Sequence, residues 1–219
     1  MQIIKNLVRI VLIIILFLVT FVVIQLPTLS EAFWPNETSK NLNITTHVLV
    51  FVSMTAIAMS VVIFLYNRTN AQKLFGQPIT LKNLCIMLLF AFGSQCIQYL
   101  ISLGKSSGSD SSIISAVKSP LCLITITTLI IVSPLLEEIL FQGVLQGGLL
   151  NKVPSIMAIF ITAVVFAFFH GYSISISTLE LFVSGISYAL VYFLTEDIKM
   201  SFMAHSISNC IVLLLDILK

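Results

Sequence analysis

The chain has 219 residues, of which 58% are hydrophobic and only 9% are charged, and its formal net charge at pH 7 is +2. Because soluble domains carry a charge on roughly a quarter of their residues, this composition excludes an ordinary soluble domain and indicates a polytopic membrane protein. A net charge this small also argues against a nucleic-acid partner. The hydrophobic composition makes the lipid bilayer the expected surrounding.

Apolar runs of about 20 residues predict membrane-spanning helices, because a helix needs about that length to cross the hydrocarbon core. The N-terminal half contains three such runs, at residues 7–26, 46–66 and 83–103. The first is long for a signal peptide and lacks a good cleavage site, which favours a retained anchor. His47 lies near the start of the second run and is interpreted as an interfacial residue.

A Gly/Ser-rich segment at residues 104–119 is the most linker-like part of the chain. It predicts a boundary between N-terminal accessory helices, residues 1–119, and a C-terminal core, residues 120–219. The apolar runs of that core are residues 120–150, 155–170, 176–194 and 200–218. Pro134 interrupts the first of them and is expected to kink or split the helix just before Glu137.

Together these runs predict an all-α polytopic membrane protein, a bundle of about seven transmembrane helices with a polar intramembrane cavity. When residues 120–150 are counted as one span, the loops on the side of the membrane that holds the N-terminus carry more basic residues than the loops on the other side. This bias favours a cytoplasmic N-terminus. Since the sequence carries no eukaryotic targeting signal, a multi-pass protein of a bacterial plasma membrane is favoured.

Three polar patterns lie inside these apolar runs: Glu137-Glu138 followed by Gln142, Phe166 followed by His170, and His205 followed by Asn209. Carboxylates and imidazoles are costly in lipid, and there they usually face a bundle interior or a cavity and serve a function. Residues four apart share a helix face, so Glu138 shares its face with Gln142. We therefore expect one cavity to collect Glu137, Glu138, His170, His205 and Asn209.

The patterns resemble those of the CPBP family (CAAX protease and bacteriocin-processing, or Abi) of intramembrane endopeptidases, which includes the type II CAAX prenyl endopeptidases. Its three motifs are Glu-Glu-xxx-Arg, Phe-xxx-His and His-xxx-Asn, and here they begin at Glu137, Phe166 and His205 in the same order. The resemblance covers roughly residues 120–213. Gln142 stands where the family pattern has arginine, and its neutral amide can only hydrogen-bond a carboxylate.

The resemblance implies a role for each polar residue of the motifs. Glu137 would be the general base that activates a water molecule, and His170 would help to hold that water. His205 and Asn209 would stabilise the oxyanion that forms when the water attacks a peptide carbonyl. Glu138 would be a supporting carboxylate that orients Gln142 or is oriented by it.

Several alternatives remain open at this stage. One glutamate and two histidines are also a plausible zinc set, although metal-independent hydrolysis without a cofactor is favoured. The same residue types serve proton relays in small transporters, and the departure at Gln142 leaves room for a non-catalytic immunity or scaffold protein. The substrate is a peptide or a membrane protein: a prenylated CAAX protein, a pheromone or bacteriocin precursor, or another membrane protein.

Overall fold

The computed structural model describes residues 2–69, 74–75, 78–103, 115, 117–171 and 174–218, and the regular elements within these ranges are all helical. They are α1 (Gln2–Val23), a 3-10 helix (Leu26–Glu31), α2 (Ile44–Thr69), α3 (Leu81–Ser102), α4 (Cys122–Leu149), α5 (Ser155–His170), α6 (Ile176–Thr195) and α7 (Ile198–Leu218). Six of these elements are long and apolar enough to cross a membrane. The prediction of an all-α multi-pass membrane protein is confirmed.

Seven long helices are found in the described ranges, as predicted; six are candidate spans, and α5, with 16 residues, is a shorter apolar helix. Its bounds are those predicted for the apolar run at residues 155–170. Most of the predicted linker at residues 104–119 lies outside the described residues, so the division of the chain into accessory and core parts stays a prediction. Helices from both parts pack together, α2 against α4 and α3 against α6 and α7.

Helix α4 lies at the centre of the bundle. Over its most apolar stretch 56% of the residues are buried, compared with 33% at most in the other long spans. Helices α1, α2, α5, α6 and α7 all contact it. Its fully buried apolar side chains are Leu136, Ile139, Leu140, Phe141 and Val144. The glutamate pair of α4 is therefore held inside the protein and away from lipid.

The expected split of α4 at Pro134 does not occur, because the helix changes its hydrogen-bonding register instead. Residues Thr128–Val132 and Ile139–Leu149 are π-helical, and the backbone N–H of Ser133 donates to the carbonyl of Thr128, five residues earlier. In that register the backbone N–H of residue 134 would donate to the backbone carbonyl of Leu129, but proline has no N–H. The carbonyl of Leu129 is thus left free to accept a hydrogen bond from another helix.

The connection between α1 and α2 is anchored by His47, which is fully buried within the protein. Its Nδ1 lies 3.0 Å from the carbonyl oxygen of Ser30, and its Nε2 lies 2.8 Å from Oε2 of Glu37. The hydrogen bond from His47 lowers the pKa of Glu37 below its usual range. The ring of Trp34 stacks on the imidazole at 4.1 Å. These contacts fix the segment that begins with Gln25.

Candidate active site

A partly open cavity of about 310 Å³ is lined mainly by residues of α4, α5, α6 and α7. Its polar lining includes four of the residues that the sequence singles out, Glu137, His170, His205 and Asn209, and Phe166 forms part of its wall. The other lining residues are Gln25, Leu129, Ser133, Leu181, Ser184 and Tyr188. Three separate helices, α4, α5 and α7, thus bring the three sequence motifs to one place.

The carboxylate of Glu137 is the centre of this arrangement, and its side chain is only 6% exposed. Oε1 accepts a hydrogen bond of 2.5 Å from the hydroxyl of Ser133, one helical turn earlier. Oε2 lies 3.1 Å from Nε2 of His170 and 4.0 Å from Nε2 of His205. Both imidazoles therefore face the same carboxylate oxygen.

The orientation of His170 follows from its second ring nitrogen. Nδ1 lies 2.8 Å from the backbone carbonyl of Phe166. Since a carbonyl can only accept, Nδ1 must carry a hydrogen and donate it. Nε2 then shares one proton with Glu137, as an imidazolium beside a carboxylate or as a neutral imidazole beside a carboxylic acid. The Phe166 ring packs on the imidazole with centroids 4.3 Å apart and helps to hold it in place.

The second carboxylate, Glu138, is fully buried and holds His205. Its Oε1 lies 2.9 Å from Nδ1 of His205, and its Oε2 accepts a hydrogen bond from the hydroxyl of Ser201. The ring of Tyr188 stacks on His205 at a centroid distance of 4.4 Å and an angle of 17°. These contacts leave Nε2 of His205 pointing into the cavity.

Asn209 takes up the backbone acceptor that Pro134 leaves free. Its Nδ2 donates a hydrogen bond of 2.9 Å to the carbonyl of Leu129. This contact ties α7 to the π-helical turn of α4. An amide nitrogen carries two hydrogens, so the second hydrogen of Asn209 remains for a group bound in the cavity.

The pairing of Pro134 with Asn209 can be tested by a double-mutant cycle. Asn209→Leu should lower the free energy of unfolding by about 1–3 kcal/mol, because it leaves the Leu129 carbonyl buried and unpaired. In a Pro134→Ala background the same change should cost less, since residue 134 then supplies an N–H. Denaturant titration in detergent measures the free energy of unfolding in the wild-type and Pro134→Ala backgrounds. Asn67→Leu, an exposed change on α2, is the control, and strictly additive effects would contradict the pairing.

Gln142 does not take the position expected of it. Its side chain is fully buried, and neither its Nε2 nor its Oε1 has a hydrogen-bond partner among the described residues. The hydrogen bond predicted between Gln142 and Glu138 is not formed, and the partners of Glu138 are His205 and Ser201. Gln142 is also not part of the cavity wall.

Sequence reasoning missed three residues that support the site. Ser133 and Ser201 each lie four residues before a motif residue, Glu137 and His205, so helical spacing would have found them. Tyr188 lies on α6, which carries none of the motifs, and only the tertiary packing places it against His205. Within the described ranges, no group of three His, Cys, Asp or Glu side chains is arranged to hold a metal ion.

Comparison with known proteins points to the same part of the chain. The family described as "Type II CAAX prenyl endopeptidase Rce1-like" matches residues 119–211. A protein of Bacillus subtilis (strain 168) with the name "Putative membrane peptidase YdiL" is 27% identical over 120 residues. This alignment covers 54% of the present chain and 47% of the relative, so the chain spans about half of that relative's length. No solved structure matches the chain.

The family match contains all three motifs and every cavity residue except Gln25. The motifs come from three different helices, and the fold brings them to one cavity. On this evidence residues 119–211 are similar to the type II CAAX prenyl endopeptidases, which the CPBP family includes.

Proposed function

We propose that the chain is an intramembrane endopeptidase in which Glu137 activates water for attack on a peptide bond. The observation that carries this proposal is the environment of Glu137. One of its oxygens accepts from Ser133, the other faces two imidazoles, and the cavity beside it is large enough for a peptide group. A buried, oriented carboxylate within reach of a bound water is the arrangement that general-base catalysis requires.

In the first step a water molecule attacks the carbonyl carbon of the substrate and gives its proton to Glu137. His170 takes part because it already shares a proton with the same carboxylate, and it can also position the water. A new C–O bond forms, and the carbonyl oxygen becomes an oxyanion. The C–N bond then breaks, and the proton held by Glu137 passes to the departing amine nitrogen.

The oxyanion is stabilised by donors from α7. Nε2 of His205 points into the cavity, and the free hydrogen of Asn209 lies on the same helix face one turn away. For Nε2 to donate while Nδ1 also donates, His205 must be an imidazolium, and the carboxylate of Glu138 stabilises that charge. Such donors act strongly where water is excluded, because the surrounding dielectric constant is low.

The expected substrate is a peptide segment that reaches the cavity from the membrane. Leu129, Phe166, Leu181 and Tyr188 make much of the wall apolar, which suits an apolar side chain or lipid group beside the scissile bond. The proposed setting is a bacterial plasma membrane with the N-terminus in the cytoplasm. The proposed chemistry assigns each step to a protein side chain and to water.

The proposal is tested with the purified protein in detergent and a peptide library that contains prenylated and unprenylated members. Mass spectrometry identifies the cleaved bonds. The expected result is cleavage that disappears in Glu137→Ala. Cleavage that persists in this variant would overturn the assignment of Glu137, and a preference for prenylated peptides would define the substrate class.

A second candidate function is that of a non-catalytic binding protein with the same fold. It is favoured by one observation: Gln142, at the family's arginine position, has a side-chain amide without a hydrogen-bond partner among the described residues. If the enzyme is active, Gln142→Arg should keep activity and move the acid limb of the pH–rate profile to lower pH, because a cation favours ionised carboxylates. Cleavage by wild type, Gln142→Ala and Gln142→Arg is measured against pH. An inactive wild type that Gln142→Arg activates would establish the second candidate.

A further inference from the structure

Among the buried side-chain polar atoms that have no hydrogen-bond partner within the described residues, four belong to α4 and α5. They are Oε1 and Nε2 of Gln142, Oε1 of Gln146 and Oγ1 of Thr162. The exposed fractions of these three residues are 0%, 7% and 0%. An unpaired buried polar group costs about 1–3 kcal/mol, and in folded proteins such groups are usually satisfied by internal water.

These three residues, named here the polar file, are aligned by the antiparallel packing of α4 and α5. Gln146 on α4 and Ala158 on α5 line the same pocket. Further along the pair, the rings of Phe141 and Phe166 are 5.2 Å apart. Gln142 lies one turn from Gln146, and Thr162 lies one turn from Ala158 in the same direction. Gln142 and Thr162 therefore lie at a common level between these two contacts.

One end of the polar file meets a second pocket, at the end of α4. This pocket has a volume of about 220 Å³, and Gln146 forms part of its wall with Asn151, Ser155 and Glu196. Its residues come from the ends of α4 and α6 and from the start of α5. The catalytic cavity instead includes Gln25 and Leu129, which lie toward the opposite end of the bundle.

The other end of the polar file lies one helical turn along α4 from the glutamate pair. Gln142 follows Glu138 by one helical turn and directly follows Phe141, which shares the face of Glu137. Both glutamines belong to the π-helical stretch Ile139–Leu149. Irregular helical turns of this type occur frequently at functional sites. Along α4, the polar file thus lies between the second pocket and the glutamate pair.

A peptidase inside a membrane needs a supply of water, because each bond cleaved consumes one molecule. A peptide that fills the catalytic cavity covers its open side and excludes water from that direction. Lipid surrounds the outer faces of the helices. The water used by Glu137 must then come from another direction.

We propose that the polar file binds water molecules and conducts them from the second pocket to Glu138 and Glu137. Gln142 and Thr162 provide donors and acceptors at the middle of this path, and Gln146 provides an acceptor at its entrance. The proposal rests on the proposed function for the use of the water, but the presence of water in the file can be measured without any cleavage.

The first measurement is X-ray hydroxyl-radical labelling of the whole protein in detergent, in which bound water generates oxidation of adjacent side chains. The segments around Gln142 and Thr162 should be labelled, and Thr162→Val and Gln142→Leu should reduce this labelling. Thr55 on α2 also has a buried hydroxyl without a partner, so Thr55→Val is the matched control. Labelling no greater around Thr162 than around Thr55 would overturn the proposal.

The second measurement is the kinetics of cleavage. Thr162→Val should lower kcat about tenfold and leave KM within about twofold, because it slows water delivery without touching the substrate. Thr55→Val should change neither constant. A protein whose file is labelled but which cleaves nothing would refute the proposed function and leave the water site standing. Cleavage with normal kcat in Thr162→Val and Gln142→Leu would refute the delivery route and leave the peptidase standing.

Discussion

Glu137→Gln should lower kcat for peptide cleavage by about 10²–10⁴-fold, the range that a general base contributes. The amide has nearly the same shape as the carboxylate, and its oxygen can still accept the hydrogen bond from Ser133. It cannot take a proton from water, however, and so the first chemical step is lost. Initial rates at saturating substrate, measured by mass spectrometry of the products, give the comparison.

The loss must be separated from unfolding. Thermal unfolding and gel filtration in detergent should show Glu137→Gln to be folded, because the substituted side chain stays hydrogen-bonded. Glu31→Gln makes the same carboxylate-to-amide change at the end of the 3-10 helix and should retain full activity. A folded Glu137→Gln protein with wild-type kcat would show that another group takes the proton.

Glu138→Gln should reduce kcat by about 10²–10³-fold, the effect seen when an oxyanion donor is lost. Glu138 binds Nδ1 of His205, and the proposed mechanism uses its negative charge to stabilise an imidazolium. A neutral amide keeps a hydrogen bond but removes that charge. Because Glu138 is fully buried and does not line the cavity, KM should change little.

The pH dependence distinguishes an electrostatic role of Glu138 from a structural one. In Glu138→Gln the basic limb of the pH–rate profile should move to lower pH, since an amide favours the imidazolium less than a carboxylate does. Ser201→Ala removes the neighbouring hydrogen bond but keeps the charge, so its profile should keep the wild-type shape. Identical profiles for wild type and Glu138→Gln would mean that His205 works as a neutral imidazole.

Much of the site is predictable because two simple constraints act on these residues. Polar side chains avoid lipid, and residues four apart share a helix face. Together they lead from three short patterns to one cavity. The same spacing would also have identified Ser133 and Ser201 as partners, but short serine side chains inside apolar runs are common and attract no notice without a known neighbour.

The remaining features depend on tertiary packing that the sequence does not specify locally. Tyr188 reaches His205 only because α6 packs beside α7. Gln142 shares a face with Glu138, yet it forms no bond to it, and His205 and Ser201 are the partners of that carboxylate. Pro134 predicts a broken helix, but the π-helical register and the amide of Asn209 together satisfy the backbone around it.

The length of α5 also bears on which bonds can be cut. Its 16 residues rise about 24 Å, whereas the hydrocarbon core is about 30 Å thick. A helix that short creates a hydrophobic mismatch, and lipids beside it adapt by thinning the bilayer locally. Such thinning would draw headgroups and interfacial water toward His170, the last residue of this helix. A transmembrane substrate would meet Glu137 with its juxtamembrane end, where the helix frays most easily, and not with its middle.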